Sequence, residues 1–284
     1  MATDLPRLDT FHNDGLTFEV MDTGPIDGEV VVLLHGWPQT AGCWAGVSAR
    51  LNDRGYRTLM PSQRGYSPLA RPRGVYAYRM SRLVSDILAL IATLDRGPVH
   101  LVGHDWGAAV AWSLAAAHPG SVRTLTTLSV PHPGAFLGAM LSSDQLLRSY
   151  YMGLFQLPKL PELLATRHRS LFTRLLTSAG MTADEVRTVY ADIVDAGAMS
   201  TSLNWYRAMV FNTPRELRRK VTVPTMHIWS DGDTALSRRS AELAGRFVDA
   251  PYQLRIMAGC THWLPEQAPG PLTDLICESL ATNP

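Results

Sequence analysis

Short apolar runs rich in β-branched residues recur at Val30 to Leu34, Tyr56 to Met60, Val99 to Val102, Leu125 to Val130, Val223 to Trp229 and Tyr252 to Met257. Runs of this length and composition predict strands. Between the second and third, Met80, Leu83, Val84, Ile87, Leu88, Ile91 and Leu94 fall at three- and four-residue steps, as on one face of a helix. The alanine-rich segment Ala108 to Ala117, stopped by Pro119, predicts another helix whose small side chains let it lie close to a sheet. Strands and helices in alternation predict an α/β protein with a mostly parallel central sheet covered by helices on both faces.

The alternation stops after Val130-Pro131-His132-Pro133 and resumes at Val221-Thr222-Val223-Pro224. The intervening residues are rich in Leu, Arg, Tyr and Met at mainly helical spacing, and a structureless loop of that length does not suit a compact domain. They predict an inserted helical cap over 132–220, dividing the core into a first part, 1–131, and a second part, 221–284.

Composition narrows the class. With 284 residues, 46% hydrophobic and 18% charged, the chain is an ordinary globular protein able to bury a sizeable core, which excludes disorder and fibrous repeats. Twenty-six Lys and Arg against 25 Asp and Glu leave a net charge of +1, so nucleic acid is not an expected partner. Arg218-Arg219-Lys220 and Arg238-Arg239 are short enough to read as solvated surface. Three cysteines, Cys43, Cys260 and Cys277, form no CxxC pair and no complete disulfide framework, which favours a reducing cytoplasmic setting. Met1 to Arg7 has neither a basic nor an apolar signal region, and no apolar run approaches the length of a membrane span.

The segment Gly103-His104-Asp105-Trp106-Gly107 lies between a predicted strand and a predicted helix, with glycines two positions either side of its centre. That spacing suits a nucleophile elbow, a strained turn that presents its middle side chain at the top of a sheet. The commoner motif has Ser at the centre; here it is Asp105. On its own the segment also reads as a glycine-rich turn with an N-capping aspartate.

With four further motifs the chain resembles the α/β-hydrolase superfamily, and within it the epoxide hydrolases, over nearly its whole length. These are His35-Gly36-Trp37-Pro38, Tyr150-Tyr151 followed by Phe155-Gln156, Leu203-Asn204-Trp205-Tyr206-Arg207, and the late pair Asp233 and His262. The resemblance implies the α/β-hydrolase fold and an aspartate nucleophile at Asp105. A carboxylate, ionised at neutral pH, attacks an alkyl carbon without a base, leaving an ester that must then be hydrolysed. His262 would activate water for that step and Asp233 would orient the imidazole. Asp231 competes for the acid's place. Cys260-Thr261 before His262 departs from the Gly-His usual in relatives, while Trp263 and the Pro-rich tail agree.

By the same resemblance the oxyanion donors are the backbone amides of Trp37 and Trp106. Two cap tyrosines, Tyr151 and Tyr206, would protonate the epoxide oxygen as it leaves, with Tyr150 an alternative to Tyr151. Met152, Leu154, Phe155, Leu157, Met209 and Phe211 supply apolar cap surface, some of it for the pocket. The expected partners are a small apolar epoxide and water, with no cofactor and no metal; a homo-oligomer is compatible with the sequence and not required by it. The rival is a dehalogenase using the same aspartyl ester. Trp37 stands where haloalkane dehalogenases commonly have Asn, and Trp106 and Ala109 where fluoroacetate dehalogenases carry Arg. A non-catalytic sensor of apolar ligands is the alternative from another class.

Overall fold

The computed structural model describes residues 6–281. Eight strands form one sheet: β1 (Thr10–Asn13), β2 (Leu16–Thr23), β3 (Val30–Leu34), β4 (Arg57–Pro61), β5 (Val99–His104), β6 (Val122–Leu128), β7 (Thr225–Ser230) and β8 (Tyr252–Met257). Their spatial order is β1-β2-β4-β3-β5-β6-β7-β8. β1 and β2 are antiparallel and form one edge; every pair from β4 to β8 is parallel. The six expected strands are present, β3 and β8 with the expected ends and β4 to β7 with shifted ones, and two more, β1 and β2, precede them.

Along β3, Val30, Val32 and Leu34 join one core while Val31 and Leu33 join another, so successive side chains supply opposite faces. This is why a central parallel strand reads as an unbroken apolar run. The first face is covered by α2 (Met80–Leu94) and α3 (Trp106–Ala117), the second by α1 (Ala45–Asn52) and α14 (Pro269–Ala281). α3 begins at Trp106, two residues before the expected Ala108, because the Asp105 carbonyl accepts from the amides of Ala108 and Ala109 and so starts the helical ladder.

Between β6 and β7 the chain is helical: α4 (Pro133–Ser142), α5 (Gln145–Arg148), α6 (Tyr150–Gln156), α7 (Leu160–Arg167), α8 (Arg169–Ser178), α9 (Ala183–Val189), α10 (Met199–Arg207) and α11 (Pro214–Arg218). The two stems of this excursion meet at His132. Burial lowers its pKa to about 4, so the ring is neutral. Nδ1 accepts from the Gly134 amide, leaving the proton on Nε2 to donate to the Arg219 carbonyl at 3.0 Å. α12 (Arg238–Ala244), which packs along α4, and the short α13 (Leu264–Gln267) complete the order.

The excursion is docked on the strand ends by directed bonds. The Trp205 indole donates to the Arg64 carbonyl at 2.7 Å, and Thr201 Oγ1 to the Gly65 carbonyl at 2.6 Å. Arg64 is itself fixed by a bidentate pair with Asp86, both bonds 2.7 Å and fully buried. Removing one partner of such a pair costs about 3–5 kcal/mol, because the other charge is stranded. All three cysteines are free, and among the described residues no helix is long and apolar enough to cross a membrane.

Candidate active site

Asp105 follows β5 in a strained positive-φ conformation, φ 51° and ψ −120°, before the chain enters α3. A non-glycine residue so held stores about 1–3 kcal/mol of strain, sustained only where the surroundings fix it. The glycines two places away make the turn possible. A Cβ on Gly103 would lie 2.3 Å from the Gly107 carbonyl oxygen, and one on Gly107 would lie 2.2 Å from that of Leu34. Strand and helix therefore approach more closely than any side chain allows.

The loop after β3 closes on the same carboxylate. The Trp37 amide donates to Asp105 Oδ1 at 2.7 Å. Its indole packs edge-on against Phe155 and Tyr206 of the helical excursion, with centroids 4.7 and 5.7 Å apart. Trp106 opens α3, where a backbone amide has no intrahelical acceptor, and its ring meets Tyr206 edge-on at 5.0 Å.

His262 follows β8 and reaches two carboxylates. Its Nδ1 is 2.8 Å from Asp233 Oδ2 and its Nε2 is 3.5 Å from Asp105 Oδ2. Asp233, on the turn after β7, is completed by the Ala235 and Leu236 amides, which donate to Oδ1 at 2.8 and 2.9 Å. Asp231 points elsewhere, its Oδ1 accepting from the Gly259 amide at 2.8 Å on the exposed side of the turn. The structure thus brings Asp233, not Asp231, to His262.

The electrostatics follow from this arrangement. Burial pushes the His262 pKa down, but Asp233 and Asp105 on its two nitrogens outweigh it and raise the pKa to about 10. Burial pushes the Asp233 carboxyl up, yet His262 and the two amides hold it below the ordinary carboxylate range.

Two cavities meet at Asp105, and Tyr151 and Tyr206 line both. One, of about 240 Å³, is apolar, walled by Met80, Phe136, Met140, Met152 and Met209. The other, of about 300 Å³, runs past His262 toward Arg148, Leu175 and Ser178. The two phenol rings lie 6.3 Å apart, nearly perpendicular. Burial first, and then the Asp105 charge, raises both phenol pKa values, so both stay protonated through the neutral range. Tyr150 is 69% exposed and touches only the second cavity. Of the other residues of the helical excursion expected near the pocket, Met152, Met209 and Phe155 line it, whereas Leu154, Leu157 and Phe211 do not.

Two residues went unnoticed in the sequence. Arg148 donates to the Asp233 carbonyl at 2.9 Å, and Gln145 bonds the turn beyond it. Both bind main-chain groups far along the chain, for which side-chain type carries no signal.

The sequence pattern of the alpha/beta hydrolase fold family matches residues 29–269. The AB hydrolase superfamily protein YfhM of Bacillus subtilis is 33% identical over 277 residues, covering 95% of this chain and 96% of its own. Epoxide hydrolase 3 of Xenopus tropicalis is 31% identical over 279 residues, covering 94% of this chain and 76% of its own. The chain belongs to the epoxide hydrolase family. Its α/β-hydrolase fold is shared with a solved structure of an epoxide hydrolase from hot-environment metagenomes, with a TM-score of 0.82 and 28% identity over 99% of both chains. Membership makes the chain a hydrolase, and its family pattern runs through the Asp105 elbow, the helical excursion and the His262 loop.

Proposed function

We propose that this chain hydrolyses an apolar epoxide to a vicinal diol through an ester of Asp105, inside a cap of residues 132–220 on a core of 1–131 and 221–284. The observation that carries this reading is that Asp105, Tyr151 and Tyr206 together line both cavities at their junction. An oxirane there has a carboxylate on one side and two phenols on the other.

In the first step Asp105 Oδ2 attacks a ring carbon, the carbon–oxygen bond breaks, and the ring oxygen takes a proton from a phenol. Oδ1 becomes the ester carbonyl oxygen, already held by the Trp37 amide. Esterification removes the Asp105 charge. That charge raises the phenol pKa values and helps hold the proton on His262. Its loss therefore makes the phenols stronger acids as the alkoxide forms, and afterwards lowers the His262 pKa, so that its Nε2 proton passes to solvent, to be regained once Asp105 is again ionised, and Nε2 can act as a base.

In the second step Nε2 takes a proton from water, and the hydroxide adds to the ester carbonyl carbon. The oxyanion on Oδ1 is met by the Trp37 and Trp106 amides, a preorganised pair of the kind that supplies several kcal/mol. Collapse breaks the ester bond, and the departing diol oxygen takes the proton from His262. Asp105 re-ionises, and the proton it releases restores the phenol.

The test is incubation of the purified protein with a styrene-type oxide and, separately, a haloalkane, with diol and free halide measured. Diol without halide release, lost in Asp105→Asn, is expected. Halide release without diol would move the assignment to a dehalogenase, and saturable binding without turnover to a ligand sensor.

A further inference from the structure

Gln145 is fully buried at the start of α5, in the helical excursion, yet its side-chain amide is directed to the core. Nε2 donates to the Ala235 carbonyl at 2.8 Å, and Oε1 accepts from the Ser237 amide at 2.8 Å. Both partners lie on the turn that leaves Asp233. The same turn turns its Ala235 and Leu236 amides to Asp233 Oδ1. Peptide units 235–237 are therefore held between Asp233 on one side and Gln145 on the other.

A primary amide carries one acceptor and one donor group side by side, matched here to a main-chain amide and carbonyl two residues apart. Such a pair fixes the orientation of the turn as well as its position. A carboxylate in its place would lose the bond to the Ala235 carbonyl and add a charge near Asp233. An apolar side chain would leave the Ser237 amide unpaired in the interior.

The brace also reaches the helix that bears Tyr151. Gln145 Nε2 donates to Ser149 Oγ at 3.0 Å, and Ser149 is the residue from which α6 and Tyr151 begin. Arg148 adds a second clamp, its Nη1 on the Asp233 carbonyl and its Nε on Asp144 Oδ2 at 2.8 Å. The acid turn is thus bound to the helix that bears one phenol. Tyr151 itself is packed by the rings of Tyr150, Phe155 and Tyr206.

We propose that Gln145 is a positioning residue for ester hydrolysis, holding the 235–237 turn so that Asp233 stays aligned on His262. The assignment rests on the two-step reading above. It predicts a split between the half-reactions, because the first step needs Asp105 and the phenols, whereas the second needs the imidazole held by Asp233.

The experiment is single-turnover rapid quench of the full chain with a styrene-type oxide, following ester formation and decay by intact mass. Wild type, Gln145→Met and Gln145→Asn are compared across pH. Ester formation is expected to keep its wild-type rate in both variants. Ester decay should slow about 10- to 100-fold in Gln145→Met, the scale of a small misplacement of a catalytic group. The rising limb of its pH profile should move to lower pH, as a loosened Asp233 holds the His262 proton less firmly. Gln145→Asn, whose amide is withdrawn by one methylene, should show the same split to a smaller degree, and it carries the test if the Met variant does not fold. Equal losses in both steps, or an unmoved pH limb, would overturn the assignment alone. No ester in the wild type would overturn the two-step reading and this assignment with it.

Discussion

The Trp37 amide holds Oδ1 of Asp105 at 2.7 Å, which leaves Oδ2 as the oxygen facing His262. The carboxylate is thereby divided into an oxygen already in its donor site and an oxygen free to attack. Gly36 makes the arrangement possible. A Cβ there would lie 2.3 Å from Asp105 Cβ and 2.4 Å from Oδ1.

Gly36→Ala should therefore push the carboxylate off the Trp37 amide. The expected loss in kcat is about 10²- to 10³-fold, the size associated with losing one oxyanion donor. Steady-state diol formation, with circular dichroism to confirm the fold, checks this. Undiminished turnover would mean that the Trp37 amide is not needed.

The two tyrosines should be separable from their neighbour. Tyr151→Phe and Tyr206→Phe are each expected to slow ester formation by about 10²-fold or more, within the usual range for a general acid. Tyr150→Phe should leave it unchanged, since that ring is 69% exposed. Stopped-flow quenching of tryptophan fluorescence on mixing with epoxide is a suitable readout, because Trp37 and Trp106 flank Asp105.

Asp233→Asn should slow ester decay by about 10³- to 10⁴-fold, as when a triad acid no longer fixes the imidazole tautomer. Asp231→Asn, which alters only a bond to the Gly259 amide, should be nearly silent. Rapid-quench decay rates of the two variants distinguish them, and equal effects would contradict the placement of the acid.

The shifted pKa values also predict the course of stability with pH. The folded His262 pKa is raised from 6.5 to about 10. Its contribution is complete below pH 6.5 and is lost as pH rises through about 10. The folded Asp233 pKa is lowered from 3.8, so its contribution is present above that value and lost as pH falls through the folded one. The Tm of wild type relative to His262→Gln should therefore decline from pH 6.5 to 10. A flat difference across that window would contradict the two-carboxylate environment of the imidazole.

What the sequence made legible follows from where each feature sits. Central strands such as β3 are buried on both faces and announce themselves as apolar runs. β2 has one face partly exposed, with Phe18 and Val20 buried but Glu19 and Met21 exposed, so its signal is a weaker alternation and it went unrecognised with β1. Asp105, Asp233 and His262 were visible because each stands in a loop at the carboxyl end of a strand, with recognisable neighbours. Gln145 and Arg148 were not, because they act through carbonyls and amides some 85 to 92 positions away. Only the fold brings those groups together.

The central claim is that an Asp105 ester forms and then awaits His262. Intact-protein mass spectrometry of His262→Gln after exposure to a styrene-type oxide tests it most directly. The account predicts a stable gain of the whole epoxide mass, mapped to Asp105 by peptide fragmentation and absent from Asp105→Asn. An unmodified His262→Gln protein, in a preparation whose wild type still produces diol, would contradict the covalent route.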